Sequence, residues 1–99
     1  MTDKYILQDK TPVPCNDLME WARWFETADR HVAQDRIGEV RISTVFLGLN
    51  HRFAPGAPLL FETMIFGGSH DGHQERCTFW DQAEKQHADA VALVRAEMH

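Results

Sequence analysis

Between Arg41 and Gly68 the chain spells two apolar runs joined by a Pro/Gly loop, and in both runs the apolar residues fall on both faces. On the first, Val40, Ile42 and Phe46 project one way while Val45, Leu47 and Leu49 project the other. On the second, Leu59, Phe61 and Ile65 oppose Leu60, Met64 and Phe66. An antiparallel sheet with one wet face shows clean alternation instead. A hairpin that is apolar on both sides needs two covers, drawn from its own helices, a second copy of the chain or a ligand. The pattern therefore predicts a binding or assembling protein and names no chemistry.

The flanking sequence supplies helices. Asp17 with Glu20 has capping-box spacing, and Leu18, Trp21, Ala22 and Phe25 follow as one helical stripe ending at about Ala28 or Asp29. Trp24 lies off that stripe, which marks it as a contact to a partner or a second copy. Before this helix, Tyr5, Ile6 and Leu7 read as a short edge strand, and residues 8–14 as a turn kept extended by Pro12 and Pro14.

After it, residues 31–37 read as a strand, Gly38 as a tight turn, and residues 39–49 as a long strand. Residues 50–58 form a loop, 59–66 the third main strand, and 74–77 a short fourth strand beyond the Asp71-Gly72 turn. Thr78 with Asp81 caps a final helix on which Trp80, Ala83, His87, Ala90, Val91 and Val94 share a face. The predicted fold is α+β: an antiparallel β-meander of three to five strands, with an N-terminal and a C-terminal helix packed on one face, in a single domain over residues 1–99.

Charge narrows the function class. The formal net charge of −5 comes from 15 acids scattered among 10 bases. Without a basic stripe there is little to neutralise phosphates, which argues against nucleic-acid binding. No leader and no apolar run of about 20 residues is present, so neither a signal peptide nor a membrane span is expected. Cys15 and Cys77 then read as reduced thiols in a cytoplasmic protein.

His51, His70 and His73 with Glu62 lack the fixed spacing of a zinc site, and the Pro-Gly-Ala-Pro and Gly-Gly-Ser-His loops lack a phosphate-loop lysine. No metal and no cofactor is expected. No nucleophile sits in a recognisable elbow, and Cys77 reads as a small packed hydrophobe.

Polar residues that interrupt the apolar strands are more informative. Thr44, Asn50, His51 and Glu62 would form a pocket floor, Trp21, Trp24 and Phe53 its walls, and Arg23 a phosphate contact. The competing reading pairs Glu62 structurally with Arg41, Arg23 or Arg52 and leaves the aromatics as plain core.

The strings WARWFE at 21–26, STVFLGLNH at 43–51 and PLLFETMIFGG at 58–68 resemble a family of small proteins carried by tailed bacteriophages and prophages. The resemblance covers most of the chain, including Glu75-Arg76, Trp80 and His87. It implies a small phage accessory protein in the host cytosol and carries over no catalytic residue. By analogy of context, the expectation is a non-enzymatic homodimer that counters a host defence system by binding a defence protein or sequestering a nucleotide signal. The alternatives are a small hydrolase or nucleotide-processing enzyme using Glu62 and His51, and a structural phage oligomer.

Overall fold

The computed structural model describes residues 3–97. Strands β1 (Tyr5–Gln8) and β2 (Thr11–Pro14) form an antiparallel hairpin, turned through Asp9 at a φ of 56°. The second strand corrects the reading of residues 8–14 as a turn. Pro12 and Pro14 alternate with Thr11 and Val13, so both missing N–H groups fall on one side of an edge strand, where a ladder tolerates proline.

Helix α1 (Leu18–Thr27) follows, its first turn capped by Asp17, whose carboxylate accepts from the N–H groups of Met19 and Glu20 at 2.9 and 3.1 Å. Strands β3 (His31–Ile37), β4 (Val40–Phe46), β5 (Phe61–Phe66) and β6 (Gln74–Cys77) form a second antiparallel sheet in sequence order. Helix α2 (Trp80–Glu97) is the last element among the described residues. Its first turn is capped by the Gln82 side chain, which accepts from Thr78 and Phe79 N–H at 3.1 and 3.0 Å, in place of the expected Thr78–Asp81 box.

The larger sheet has one covered face. Ile42, Thr44 and Phe46 from β4 and Phe61, Thr63 and Ile65 from β5 point inward and are buried. Against them α2 lays Ala83, His87, Ala90 and Val94, two of the four small enough to bring the helix close. At one end Ile42, Ile65, Ala90 and Val94 form an aliphatic cluster; at the other, Phe46, Leu60, Phe61, Cys77 and Ala83 form an aromatic one. Trp24 meets Phe46 edge-on at 5.7 Å, and Trp80 meets Phe61 edge-on at 6.1 Å. Tyr5 and Leu7 pack on the same cluster. The hairpin and α1 therefore extend the layer begun by α2, and both helices serve one face.

The opposite face carries Arg41, Ser43 and Val45 on β4 beside Phe66, Met64 and Glu62 on β5. No helix covers it. Its apolar surface is shielded by its own long side chains: the Arg41 guanidinium lies 4.3 Å over the Phe66 ring, and Arg76 Nε donates to Glu62 Oε2 at 2.9 Å. Gln74 donates to the same oxygen. Arg76 stands directly opposite Glu62 in register, so it and not Arg41, Arg23 or Arg52 pairs the carboxylate.

Two departures from simple alternation shrink the apolar character of this face. Leu60 precedes the first ladder pair of β5 and turns into the core. Gly48, at a φ of 75°, bends the chain out of β4, so that Leu49 bridges to Lys4 instead of prolonging the strand.

Gly48 also joins the two parts of the fold. Its carbonyl accepts from Tyr5 N–H at 2.9 Å and from Trp21 Nε1 at 3.0 Å, and a Cβ there would stand 3.0 Å from Phe25 Cε1. Gly48→Ala is expected to cost about 2 kcal/mol, from left-handed strain and the displaced Phe25. Chemical denaturation followed by circular dichroism measures it; an unchanged midpoint would show that this bend carries no strain.

Candidate functional site

Running from the protein surface into the core is one continuous polar chain. His87 projects from the middle of α2 toward the sheet and is 5% exposed. Its Nδ1 lies 2.8 Å from Thr44 Oγ1, which lies 2.7 Å from Thr63 Oγ1, and its Nε2 lies 2.7 Å from Asp35 Oδ2. A carboxylate at Nε2 requires a proton there. In the neutral ring Nδ1 is then an acceptor, Thr44 donates to it, and Thr63 donates to Thr44. Thus one imidazole ties α2 to β3 through Asp35, to β4 through Thr44 and to β5 through Thr63.

The order acid, imidazole, hydroxyl is that of a nucleophilic triad. Access decides against that use. Thr44 and Thr63 are 0% and 1% exposed, walled in between helix and sheet, so no substrate carbonyl reaches either oxygen. The chain acts instead as a fully satisfied polar seam within an apolar interface. Beside it, Asp35 opens onto a wide groove of about 630 Å³ between β3 and α2, walled by Ala33, Ala88, Val91 and Ala92 with Glu84 and Arg95 at its rim.

The residues singled out from the sequence do not share one cavity. Thr44 points inward beneath α2, whereas Glu62 stands on the outward row of the neighbouring strand, opposite Val45. Asn50 staples the 50–58 loop, its Oδ1 accepting from Arg52 and Leu59 N–H at 2.9 and 3.0 Å. His51 donates its backbone N–H to Leu59 O, and Phe53 at the loop tip is fully exposed. Trp21 stacks on Phe25 at 4.7 Å and donates Nε1 to Tyr5 O and Gly48 O. Trp24, expected at a partner contact, is half-buried against Phe46, while Arg23 is exposed on α1. Both tryptophans anchor α1.

Asp35 was not singled out from the sequence. The signal was there: pairing with Ile42 places an acid on the inward row, where it needs a partner.

Elsewhere the titratable groups form local pairs. His70 Nε2 lies 3.2 Å from Glu97 Oε1 without hydrogen-bond alignment, and the Ser69 hydroxyl holds the Glu97 carboxyl below its usual range. His31 likewise lowers Asp29 through backbone and side-chain bonds. Among the described residues no group of three or more His, Cys, Asp or Glu is placed to hold a metal ion, and no helix is long and apolar enough to cross a membrane.

Large apolar side chains do reach solvent at one end of the molecule. Leu18 and Met19 in the first turn of α1 are 58% and 61% exposed, and none of the ten helix residues is buried. Trp21, one turn after Leu18, is bonded to Gly48, which places the exposed Leu49 at the same end.

No family model matches this sequence, and neither a curated protein nor a solved structure matches it.

Two outcomes follow from the buried groups. His87→Ala is expected to cost about 3 kcal/mol by stranding two buried hydroxyls and opening a cavity, while His87→Leu combined with Thr44→Val and Thr63→Val recovers most of it. Denaturant melts of the single and triple variants decide this; a single substitution no worse than the triple would mean that the seam is not satisfied. Burial pushes the Cys77 thiol up to about 11, above its ordinary value of 9.0. Its contribution to stability is then whole below the unfolded value and is lost as pH rises through the folded one. The stability advantage of the wild type over Cys77→Ala should accordingly shrink between pH 9 and 11, read from urea midpoints.

Proposed function

We propose that this chain is a non-enzymatic phage accessory protein that acts as a homodimer in the host cytosol and counters a host defence system by binding one of its proteins. The observation that carries the reading is the exposed apolar first turn of α1. A short helix with no buried residue, held on the domain by Trp21 and Trp24, presents Leu18 and Met19 outward beside Leu49. Rigidly held apolar side chains of this kind suit a protein partner.

Protein binding is favoured over capture of a nucleotide because most of the stacking groups are occupied and Phe53, which is free, stands alone at a loop tip. Arg30 lies 4.0 Å over Phe25, Arg41 lies over Phe66, and Trp21 is stacked. The depression that brings Arg41 and Phe66 together has a volume of about 150 Å³, below the ~300 Å³ at which small-molecule pockets begin, and the larger groove beside Asp35 has no Phe, Tyr or Trp in its walls to stack on a base. The enzymatic alternative needs Glu62 and His51 to act together. Glu62 is held by Arg76 and Gln74, and His51 lies at the base of a separate loop.

Phage plating on a host that carries the defence system tests the proposal. Leu18→Ser with Met19→Ser is expected to abolish protection, with the melting temperature unchanged. Glu62→Gln with His51→Ala is expected to leave protection intact. The opposite pattern would sink the reading, as would release of a bound nucleotide from the heated protein: intact, it would indicate capture; altered, turnover.

A further inference from the structure

The longest open edge of the larger sheet is β3, and a groove runs beside it. β3 has seven residues and, among the described residues, pairs only with β4. The Gly38-Glu39 turn closes that hairpin at the Ile37–Val40 pair, so Ile37, Asp35 and Ala33 turn their backbone groups toward β4. Phe46, in step with Val40 and Ile42 on β4, likewise donates across to Arg30 O at 2.7 Å. The N–H and C=O groups of Arg36 and Gln34 are therefore aimed away from the sheet, as the row that an added strand pairs with. The opposite edge, β6, has four residues.

Helix α2 runs beside β3 in the same direction: Ala83 packs at the Val32 end, Val91 and Val94 at the Ile37 end. The groove of about 630 Å³ between them has Ala88, Val91 and Ala92 on its helical wall. Glu84 joins Asp35 toward the Val32 end, and Arg95 stands toward the Ile37 end. Both Glu84 and Arg95 are exposed and, among the described residues, without an ion-pair partner. The Asp35 carboxylate is fixed at the groove by His87 Nε2 at 2.7 Å. Glu84 and Arg95 are about 16 Å apart along the helix, close to the ~14 Å between the first and fifth residues of a strand.

We propose that an extended segment of another protein adds to β3 as an antiparallel strand, the commoner and more stable pairing. Three alternate side chains of the segment enter the groove. An acidic residue opposite Ile37 meets Arg95, and a small apolar residue opposite Asp35 rests on Ala88 and Val91. A basic residue opposite Ala33 lies between Asp35 and Glu84. A second copy of this chain does not fit, because the same row of its β3 brings Ala33, Asp35 and Ile37, an acid and no base. An inward-facing acid on an edge strand guards against such self-pairing; here it also selects for a strand that carries a base. This surface is separate from the α1 contact and does not rest on it.

A synthetic peptide tests the site. Thr-Glu-Thr-Val-Thr-Lys-Thr, with an N-terminal fluorescein and a C-terminal amide, carries the three groove residues in order. Its fluorescence anisotropy is expected to rise saturably with protein, with a Kd below about 1 mM. Replacing its lysine by glutamate, or using the Glu84→Lys protein, should weaken binding at least about tenfold. In this register the third and fifth residues exchange backbone bonds with Arg36 and Gln34, whereas the N–H of the fourth points away. N-methylation of the third and fifth should therefore abolish binding, and N-methylation of the fourth should leave it within about threefold. The Leu18→Ser, Met19→Ser protein should bind the peptide as wild type does, which separates this site from the α1 contact.

No saturation by about 1 mM, a methyl on the fourth residue as damaging as the other two, or undiminished binding to Glu84→Lys would each overturn the site. Tighter binding of the charge-exchanged peptide, Thr-Lys-Thr-Val-Thr-Glu-Thr, would overturn the antiparallel direction.

Discussion

One imidazole sets how α2 lies on the sheet. A helix packed on apolar side chains alone can slide and rotate at small cost, because dispersion contacts have little directional preference. His87 removes that freedom. Its ring must satisfy Asp35 at one nitrogen and Thr44 at the other, on adjacent strands, while Thr63 on a third strand closes the chain. Only one translation and one rotation of the helix meet all three. The aliphatic and aromatic clusters on either side then pack in a fixed register. The arrangement uses a buried polar group to select one packing among many apolar ones.

Most of the secondary structure could be read from the chain because its punctuation is strong. Asp17 starts α1, Gly38 turns β3 into β4, Gly67 and Gly68 end β5, and Asp71-Gly72 turns into β6. The hairpin strand Thr11–Pro14 was hidden because two prolines in four residues usually mark a break, and only its position at an edge makes them harmless. The candidate site was harder to read. Thr44 and Glu62 are both polar residues in apolar strands, but which sheet face each occupies depends on the register between β4 and β5. Trp24 lies off the helical stripe and still reaches the core, since α1 sits at the rim of the sheet and meets Phe46 from the side.

The doubly apolar hairpin that constrained the sequence reading finds a mixed solution. One face takes the helical layer. The other is closed in part by the Arg41 guanidinium over Phe66 and by Arg76 and Gln74 drawn onto Glu62, and in part by the chain leaving the strand at Gly48. Arg41 thereby covers Phe66 with its guanidinium, as a charge without an acidic partner among the described residues. A face shielded in this way stays compatible with water and still favours a partner of opposite sign, which is how reversible association is usually built.

The double acceptor at Gly48 has a consequence for the order of assembly. The β1–β2 hairpin and α1 leave the ribosome before the carbonyl that will receive them, and α2, with its imidazole, follows all the strands it covers. Trp21 meets Tyr5 O as soon as the hairpin forms, but its second acceptor comes only with the end of β4, and the sheet waits for its lid. The threonine-lined face of the sheet therefore has no cover until α2 is in place.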